Sequence, residues 1–369
     1  MDILVTGAKG FVGRNLCEQL KTMEGVIVHE IDVDSAPGEL ENYAAGCDIV
    51  YHLAGVNRPK DTEEFMEGNR DFTAQLVDIL KKSGNKPVMV LSSSIQALLD
   101  NPYGESKRAA EDIVFAYAKE SGARVVVYRF PNVYGKWCRP NYNSAVATFC
   151  SNIANDLPIT VNDPDVMMHL VYIDDVVEEL IGVIGKKEHV KDGFGFVPSV
   201  TDIALGEIPK LLYYFKESRT TLRLPNLCNP FEKKLYSTYL SYLPKDGFSY
   251  PLVMHEDNRG SFTEFLKSDD RGQVSVNISH PGIVKGNHWH NTKNEKFMVV
   301  SGKGLIRLRR VGDDEVIEYH VSGDKLEVVD IPCGYTHSIA NEGNEDMVTV
   351  MWVNEVFDKE HPDTFYEEV

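Results

Sequence analysis

The rhythm of the chain changes once, near residue 244, and this change constrains the fold more than any other feature. Before it, the β-rich runs Ile3–Val5, Val26–Ile31, Ile49–Leu53, Val88–Leu91 and Val125–Phe130 are separated by segments of helix length, through about residue 185. That alternation predicts a parallel α/β sheet, because each parallel neighbour requires a crossover. From Ile203 to Leu243 the pattern reads helical, with Leu211, Leu212 and Phe215 on one face. Pro244, Lys245, Asp246, Gly247 and Pro251 then form a turn-rich break, as at a domain boundary. Beyond it strands are short and frequent: Gln273–Ser279, Glu295–Val300, Gly304–Arg310, Val328–Ile331 and Met347–Trp352. This is the rhythm of an antiparallel β-barrel. The expected organisation is a first domain over 1–243, a linker over 244–251 and a second domain over 252–369. A length of 369 residues with 43% hydrophobic content suffices for two buried cores.

Charge narrows the partners. A formal net charge of -18 repels nucleic acid and anionic membrane over most of the surface, so neither is expected as a partner. An anionic ligand would need local positive sites. No apolar run approaches the ~18 residues of a membrane span. The chain opens on the strand Ile3–Val5 rather than on a basic, apolar leader, which gives the expectation of a cytoplasmic protein. The six cysteines, Cys17, Cys47, Cys138, Cys150, Cys228 and Cys333, form no C-x2-C pair and read as reduced structural thiols.

The first strand runs into Thr6-Gly7-Ala8-Lys9-Gly10-Phe11-Val12-Gly13, with a helix pattern from Phe11. Gly7 suits a tight turn, Gly10 a close approach of backbone to pyrophosphate, and Gly13 close helix packing. The amides of Phe11 and Val12, at a helix N-terminus, would face the phosphates. The strand before and the helix after are what separate a dinucleotide site from a chance glycine string. Asp32, 19 residues after Gly13, closes the second strand where an acid can accept from the ribose hydroxyls. It favours NADH, whereas Lys9 and Arg14 beside the loop could accommodate the extra phosphate of NADPH. Further on, Ser92-Ser93-Ser94 ends the fourth strand and Tyr103-Gly104-Glu105-Ser106-Lys107 opens a helix. Tyr103 and Lys107, four apart, share one helical face. An ammonium beside a phenol favours the phenolate, so Lys107 is expected to lower the pKa of Tyr103 from about 10. Ser94 would hydrogen-bond the carbonyl being reduced.

With these residues in this order, residues 1 to 243 resemble the extended short-chain dehydrogenase/reductases, which act mainly on nucleotide sugars. The resemblance also covers His52-Leu53-Ala54-Gly55, Asn69, Arg129-Phe130-Pro131-Asn132-Val133-Tyr134-Gly135 and Val171-Tyr172-Ile173-Asp174-Asp175-Val176. It implies a Rossmann-type doubly wound parallel sheet, with Leu53 and Ala54 at the cofactor and Asn132 at the substrate. Where family members often carry an arginine for the sugar-nucleotide phosphates, this chain reads Met167-Met168-His169. Phosphate contacts would then come from elsewhere, with Lys136 and Arg139 as the candidates.

In the last third, Gly282, His288, His290, Glu295 and Gly302 fit G-x5-H-x-H-x4-E-x6-G, and Pro332, Gly334, His337 and Asn341 fit P-x-G-x2-H-x3-N. These match the two signature motifs of the cupins, which implies an all-β double-stranded β-helix, or jelly-roll barrel. His288 and His290, two apart on a strand, point to one face. Glu295 and His337 complete a three-nitrogen, one-oxygen set suited to zinc or another borderline divalent ion.

Asp257-Asn258-Arg259-Gly260-Ser261-Phe262-Thr263-Glu264-Phe265 and Gly282-Ile283-Val284-Lys285-Gly286-Asn287-His288-Trp289-His290 further resemble the dTDP-4-keto-6-deoxyhexose 3,5-epimerases. By that likeness His288 is the catalytic base, Arg259 and Lys285 hold phosphate, and Lys296 stabilises the enolate. Tyr335 and Tyr319 are candidate acids. The chain departs at His290, where those epimerases have Gln and bind no metal, so metal ligand and base compete for His288.

Taken whole, the chain resembles the bifunctional capsule and O-antigen enzymes of the CapF type. This implies C3 epimerisation of a UDP-4-keto-6-deoxy-N-acetylhexosamine and reduction at C4 with NADPH, giving UDP-2-acetamido-2,6-dideoxy-L-talose, the precursor of N-acetyl-L-fucosamine. Two other readings stay open. The barrel could be a noncatalytic, metal-binding module for sugar binding or dimerisation. The first domain could be an epimerase or dehydratase that retains its NAD. A homodimer is the default assembly.

Overall fold

The apolar runs of the first third bury side chains on both faces, which is what places them inside a two-sided parallel sheet. In this computed structural model, which describes residues 1–369, the strands are β1 (Asp2–Thr6), β2 (Ile27–Ile31), β3 (Ile49–His52), β4 (Val88–Ser94), β5 (Val125–Phe130), β6 (Asn132–Tyr134), β7 (Met167–Tyr172), β8 (Val190–Lys191), β9 (Phe194–Gly195) and β10 (Val200–Ala204). The main sheet runs β2-β1-β3-β4-β5-β9-β8, parallel except for the β8–β9 hairpin, and β10-β7-β6 form a small second sheet. Ile3 and Val5 join one core with Leu16, Tyr51 and Leu180, while Leu4 joins the other with Val50, Leu76 and Val114. That period of two is the doubly wound sheet read in side chains. The strand order reverses between β1 and β3, so a crevice opens where both strands end, at Gly7 and Leu53.

The chain forms two compact units, Met1–Tyr213 with Pro230–Pro244, and Tyr214–Asn229 with Lys245–Val369. The helical stretch expected from Ile203 to Leu243 is two helices, Glu207–Thr221 and Pro230–Leu240, and Ile203 belongs to β10. The interruption has a local cause, since Leu222 takes a φ of 62° and Pro225 disfavours helix in the residue before it. There the backbone turns to another partner: Lys267 N donates to Leu222 O at 2.7 Å and Leu224 N to Lys267 O at 2.8 Å. This bridge accounts for the grouping of 214–229 with the second unit. No helix is long and apolar enough to cross a membrane. All six cysteines are unpaired.

The second unit contains β11 (Met254–Asp257), β12 (Gly260–Ser268), β13 (Gly272–Ser279), β14 (Val284–Trp289), β15 (Glu295–Ser301), β16 (Lys303–Arg310), β17 (Val316–Ser322), β18 (Val329–Ile331), β19 (Tyr335–Asn341), β20 (Met347–Val353) and β21 (Phe365–Tyr366). They form two antiparallel sheets, β11-β12-β13-β20-β15-β18 and β17-β16-β19-β14-β21, the two walls of the cupin-type barrel. Phe297, Val299, Ile306, Leu308 and Ile339 fill an apolar core. Along β13, however, the buried alternate positions are Gln273, Ser275, Asn277 and Ser279. A strand that turns a polar face inward lines a cavity rather than a packed core.

One irregularity aims the barrel's histidines. Between β14 and β19 Gly286 pairs with Ser338 and His288 with His337, leaving Asn287 as a bulge at φ 58°. Gly286 itself has φ 101°, and a Cβ there would lie 2.6 Å from His337 O. Gly312 has a similar φ of 87° but open space around it. Gly286→Ala is therefore expected to destabilise the protein by about 1–3 kcal/mol more than Gly312→Ala, as lower thermal midpoints of the full chain would report.

Candidate active sites

At the crevice of the first unit, sterics dictate the glycines. A Cβ on Gly7, at φ 70°, would lie 2.6 Å from Ala54 N, and one on Gly13 would lie 2.1 Å from Gly7 O. Asp32 sits beside this loop, but its two oxygens already accept from Lys9 N at 2.8 Å and Val33 N at 2.9 Å. The Lys9 ammonium pairs with exposed Asp34 at 2.5 Å, and Arg14 lies 4.4 Å over the Trp137 ring. A cleft of about 540 Å³ brings Gly7, Lys9, Gly10, Phe11, Val12, Gly13 and Leu53 together with Ser94, Tyr103, Lys107 and Asn132. Asp32 and Ala54 lie outside its wall. Of the two candidate phosphate cations, Arg139 faces the cleft. Lys136 is instead ion-paired with Asp174.

The helix Pro102–Ser121 begins where Asn101 caps it, Oδ1 accepting from Gly104 N at 2.8 Å, and ends at left-handed Gly122. Its first two turns carry Tyr103 and Lys107. Lys107 is buried, donates to Ser92 O at 3.1 Å and lies 5.9 Å from the Tyr103 ring centroid. Burial pulls its ammonium down to about 8. Tyr103 moves opposite to expectation: burial pushes its phenol above 10, with only a hydrogen bond from Ser94 opposing. The correction is physical, because desolvation of a phenolate outweighs an ammonium held at the ring's face.

The bonding of several supports was not read from sequence. Asn69 accepts from Val56 N at 3.0 Å and donates to Val56 O and to Ser106 Oγ, both at 2.9 Å. Neutral His52, pulled down to about 3 by burial, bridges Thr6 at 2.7 Å and Thr73 at 2.9 Å. Glu111, one turn beyond Lys107, accepts from Ser93 at 2.5 Å and from Arg129 at 2.9 and 2.5 Å. Its i+4 spacing from Lys107 was the available signal.

In the barrel, His288, His290, Glu295 and His337 bring one ligand atom each within 4.8 Å of one another. His290 donates from Nδ1 to Asp363 O at 2.5 Å, which leaves Nε2 facing the cluster. Glu295 Oε2 lies 3.0 Å from His337 Nε2 and 3.5 Å from His290 Nε2, yet none of the three is aligned for hydrogen bonding. Buried polar atoms without partners that converge on one point are what a cation requires. Tetrahedral zinc spaces its ligand atoms by about 3.4 Å, so the set fits after shifts of about an ångström. The charges suit it too. Burial would raise the Glu295 carboxyl, but the two histidines outweigh it and hold it at about 2, and burial pulls His288 down to about 4.

These ligands line a cavity of about 480 Å³ together with Arg259 and Lys285. Arg259 is half exposed and paired with Asp257 at 2.6 Å, and Lys285 donates to Asn277 Oδ1 and Ile278 O, both at 2.8 Å. Lys296 does not join them. It neighbours Glu295 on β15, so its side chain leaves by the opposite face, half exposed and ion-paired with Asp330. Tyr335 and Tyr319 are also absent from the cavity wall, whereas His255, Lys293 and Glu355, not singled out in the sequence, are part of it.

Residues 3–194, more than half of the chain, match the NAD dependent epimerase/dehydratase family. The chain belongs to this family. Membership implies a nicotinamide cofactor, in accord with the phosphate loop. Residues 255–365 match the polysaccharide biosynthesis C-terminal domain. The capsular polysaccharide assembling protein CapF from Staphylococcus aureus is 57% identical, with a TM-score of 0.95 and full coverage of both chains. The UDP-2-acetamido-2,6-beta-L-arabino-hexul-4-ose reductase of Pseudomonas aeruginosa is 44% identical over 99% of this chain and 98% of its own length. A Bacillus cereus UDP-glucuronic acid 4-epimerase in complex with NAD, 21% identical, shares the fold over 58% of this chain and 84% of its own, with a TM-score of 0.53.

Titration of the stripped protein with zinc is expected to show one site per chain, weakened at least about 100-fold by His337→Ala or Glu295→Gln. His290 sets the pH dependence. Burial would lower its pKa, but Glu295 and Asp363 O more than offset this and raise it above 6.5. Protons therefore compete with the ion once the pH falls to that range, and calorimetric affinity should decline on acidification from a pH still above 6.5.

Proposed function

We propose that the chain is a bifunctional nucleotide-sugar enzyme. The barrel inverts C3 of a UDP-4-keto-6-deoxy-N-acetylhexosamine, and the first unit reduces the C4 ketone to give UDP-2-acetamido-2,6-dideoxy-L-talose. One observation carries this reading. Ser94, Tyr103 and Lys107 share a cleft with the phosphate loop, in a chain alike over its whole length to a protein named as a UDP-hexulose reductase.

NADPH, when bound, supplies the hydride to C4. Tyr103, with its phenol protonated well above neutral pH, donates the matching proton to O4, and Ser94 hydrogen-bonds the same oxygen. The Lys107 charge beside the ring favours the phenolate left behind. Asn132 and Arg139 are assigned to the sugar and its diphosphate. NADPH rather than NADH is supported by the exposed Lys9 ammonium beside the phosphate loop, which would exchange its Asp34 partner for the extra phosphate.

In the barrel His288, His290, Glu295 and His337 would hold zinc, which ties three strands together and can polarise a ketone. His288 is the proposed C3 base, and its low pKa keeps it neutral. Metal ligand and base thus compete for the ring of His288. Filling the metal site should then slow C3–H exchange. Arg259 and Lys285 are assigned to the diphosphate. Assembly as a homodimer in the cytoplasm belongs to the same reading.

The curated relative's name mentions reduction alone, which favours a second reading: a reductase whose barrel binds without catalysis. Tyr103→Phe separates the two. NADPH consumption should fall about 10²–10⁴-fold, while deuterium from D2O still enters C3 of the keto sugar. Absence of that exchange in the wild type would leave the reductase-only reading standing. The wild-type reduction should also slow as the pH rises above about 8, where Lys107 loses its charge, which a kcat/KM profile measures.

A further inference from the structure

Only two lysines in the chain are buried, Lys107 in the reductase cleft and Lys293 in the barrel, at 8% and 5% exposure. Lys293 lines the barrel cavity. Its ammonium donates to one neutral acceptor, Pro362 O at 2.5 Å, and lies 5.6 Å from the Phe357 ring centroid. No carboxylate stands within ion-pair distance of it. The contrast with the other enclosed cations is plain: Arg124 is paired with Glu188, Arg129 with Glu111 and Lys267 with Glu264. A desolvated ammonium without a counter-charge is costly to keep. It also keeps donor capacity, since an ammonium has three N–H groups.

Neither other nearby lysine can play its part. Lys285 is tethered to the wall by Asn277 and Ile278, and Lys296 lies outside. The inward place beside Lys296 is held by Glu295, an anion that would repel a second negative charge.

We infer that Lys293 is the catalytic cation of the barrel, donating a hydrogen bond to the enolate oxygen formed from the 4-keto sugar. The inference rests on the epimerase reading above. A base removes the C3 proton, the C–H pair becomes the C3–C4 double bond, and the carbonyl π pair moves to O4. Lys293 stabilises that oxygen in advance. The O4 pair then restores the carbonyl as C3 takes a proton from solvent water on its other face. One proton leaves, one returns, and no redox change occurs.

The test follows C3 deuteration of the UDP-4-keto sugar in D2O without NADPH, on the full chain. Lys293→Met is expected to exchange at least about 100-fold more slowly than wild type. Its NADPH-dependent reduction of the already inverted keto sugar, and its zinc stoichiometry, should be unchanged. Lys296→Met should stay within about threefold of wild type. Exchange by Lys293→Met within that same margin overturns the inference alone, whereas a wild type that does not exchange overturns the epimerase reading and the inference with it. Should the Met variant lose zinc, Lys293→Arg decides. Retention of charge should keep exchange at least about tenfold above Met, and equal rates would overturn the assignment.

Discussion

A polar group taken out of water must find a partner, and the architecture of this chain follows from where that requirement is met and where it is left open. In the parallel sheet the backbone groups are paired, and the enclosed polar side chains are mostly tied to one another. His52 joins Thr6 to Thr73, Asn69 closes on Val56 and Ser106, and Glu111 gathers Ser93 and Arg129. Among the groups left open is Lys107, whose one hydrogen bond goes to a carbonyl. In the barrel the open groups include the inner nitrogens of His290 and His337, Glu295 Oε2 and the Lys293 ammonium. These open groups line the two clefts.

Much of this was legible in the sequence because it depends on short-range spacing. Apolar runs separated by helix-length segments gave the parallel sheet. The glycine loop between strand and helix, the four-residue step from Tyr103 to Lys107 and the H-x-H-x4-E spacing each place side chains through local geometry alone. The rest depends on contacts distant in sequence. Lys293 is buried because Pro362, 69 residues later, covers it. Likewise, the ring of His290 is oriented by Asp363, 73 residues later. Lys296 was assigned to the cavity by likeness to an aligned lysine, but the inward face of β15 belongs to Glu295, and alternation then sends Lys296 out. The acidity of Tyr103 was misjudged for a related reason. Proximity to an ammonium is visible in sequence, whereas the desolvation that outweighs it is a property of the folded cleft.

The two clefts suit consecutive chemistry on one ketone. Enolisation requires a carbonyl at C4, and reduction removes it, so inversion at C3 has to precede hydride transfer. The barrel offers a neutral imidazole and a buried cation, the needs of proton abstraction beside a carbonyl. The first unit offers a protonated phenol beside a dinucleotide loop, the needs of hydride transfer. In this proposal zinc held by the four ligands would organise the strands around the first of these steps, with His288 shared between scaffold and chemistry.

The central claim is that a single ketone passes through both sites. Complete turnover of the UDP-4-keto sugar with unlabelled NADPH in D2O, followed by NMR of the product, tests it most directly. The account predicts deuterium at C3, protium at C4 and one NADPH consumed per sugar. A reduced product that retains protium at C3 would contradict it.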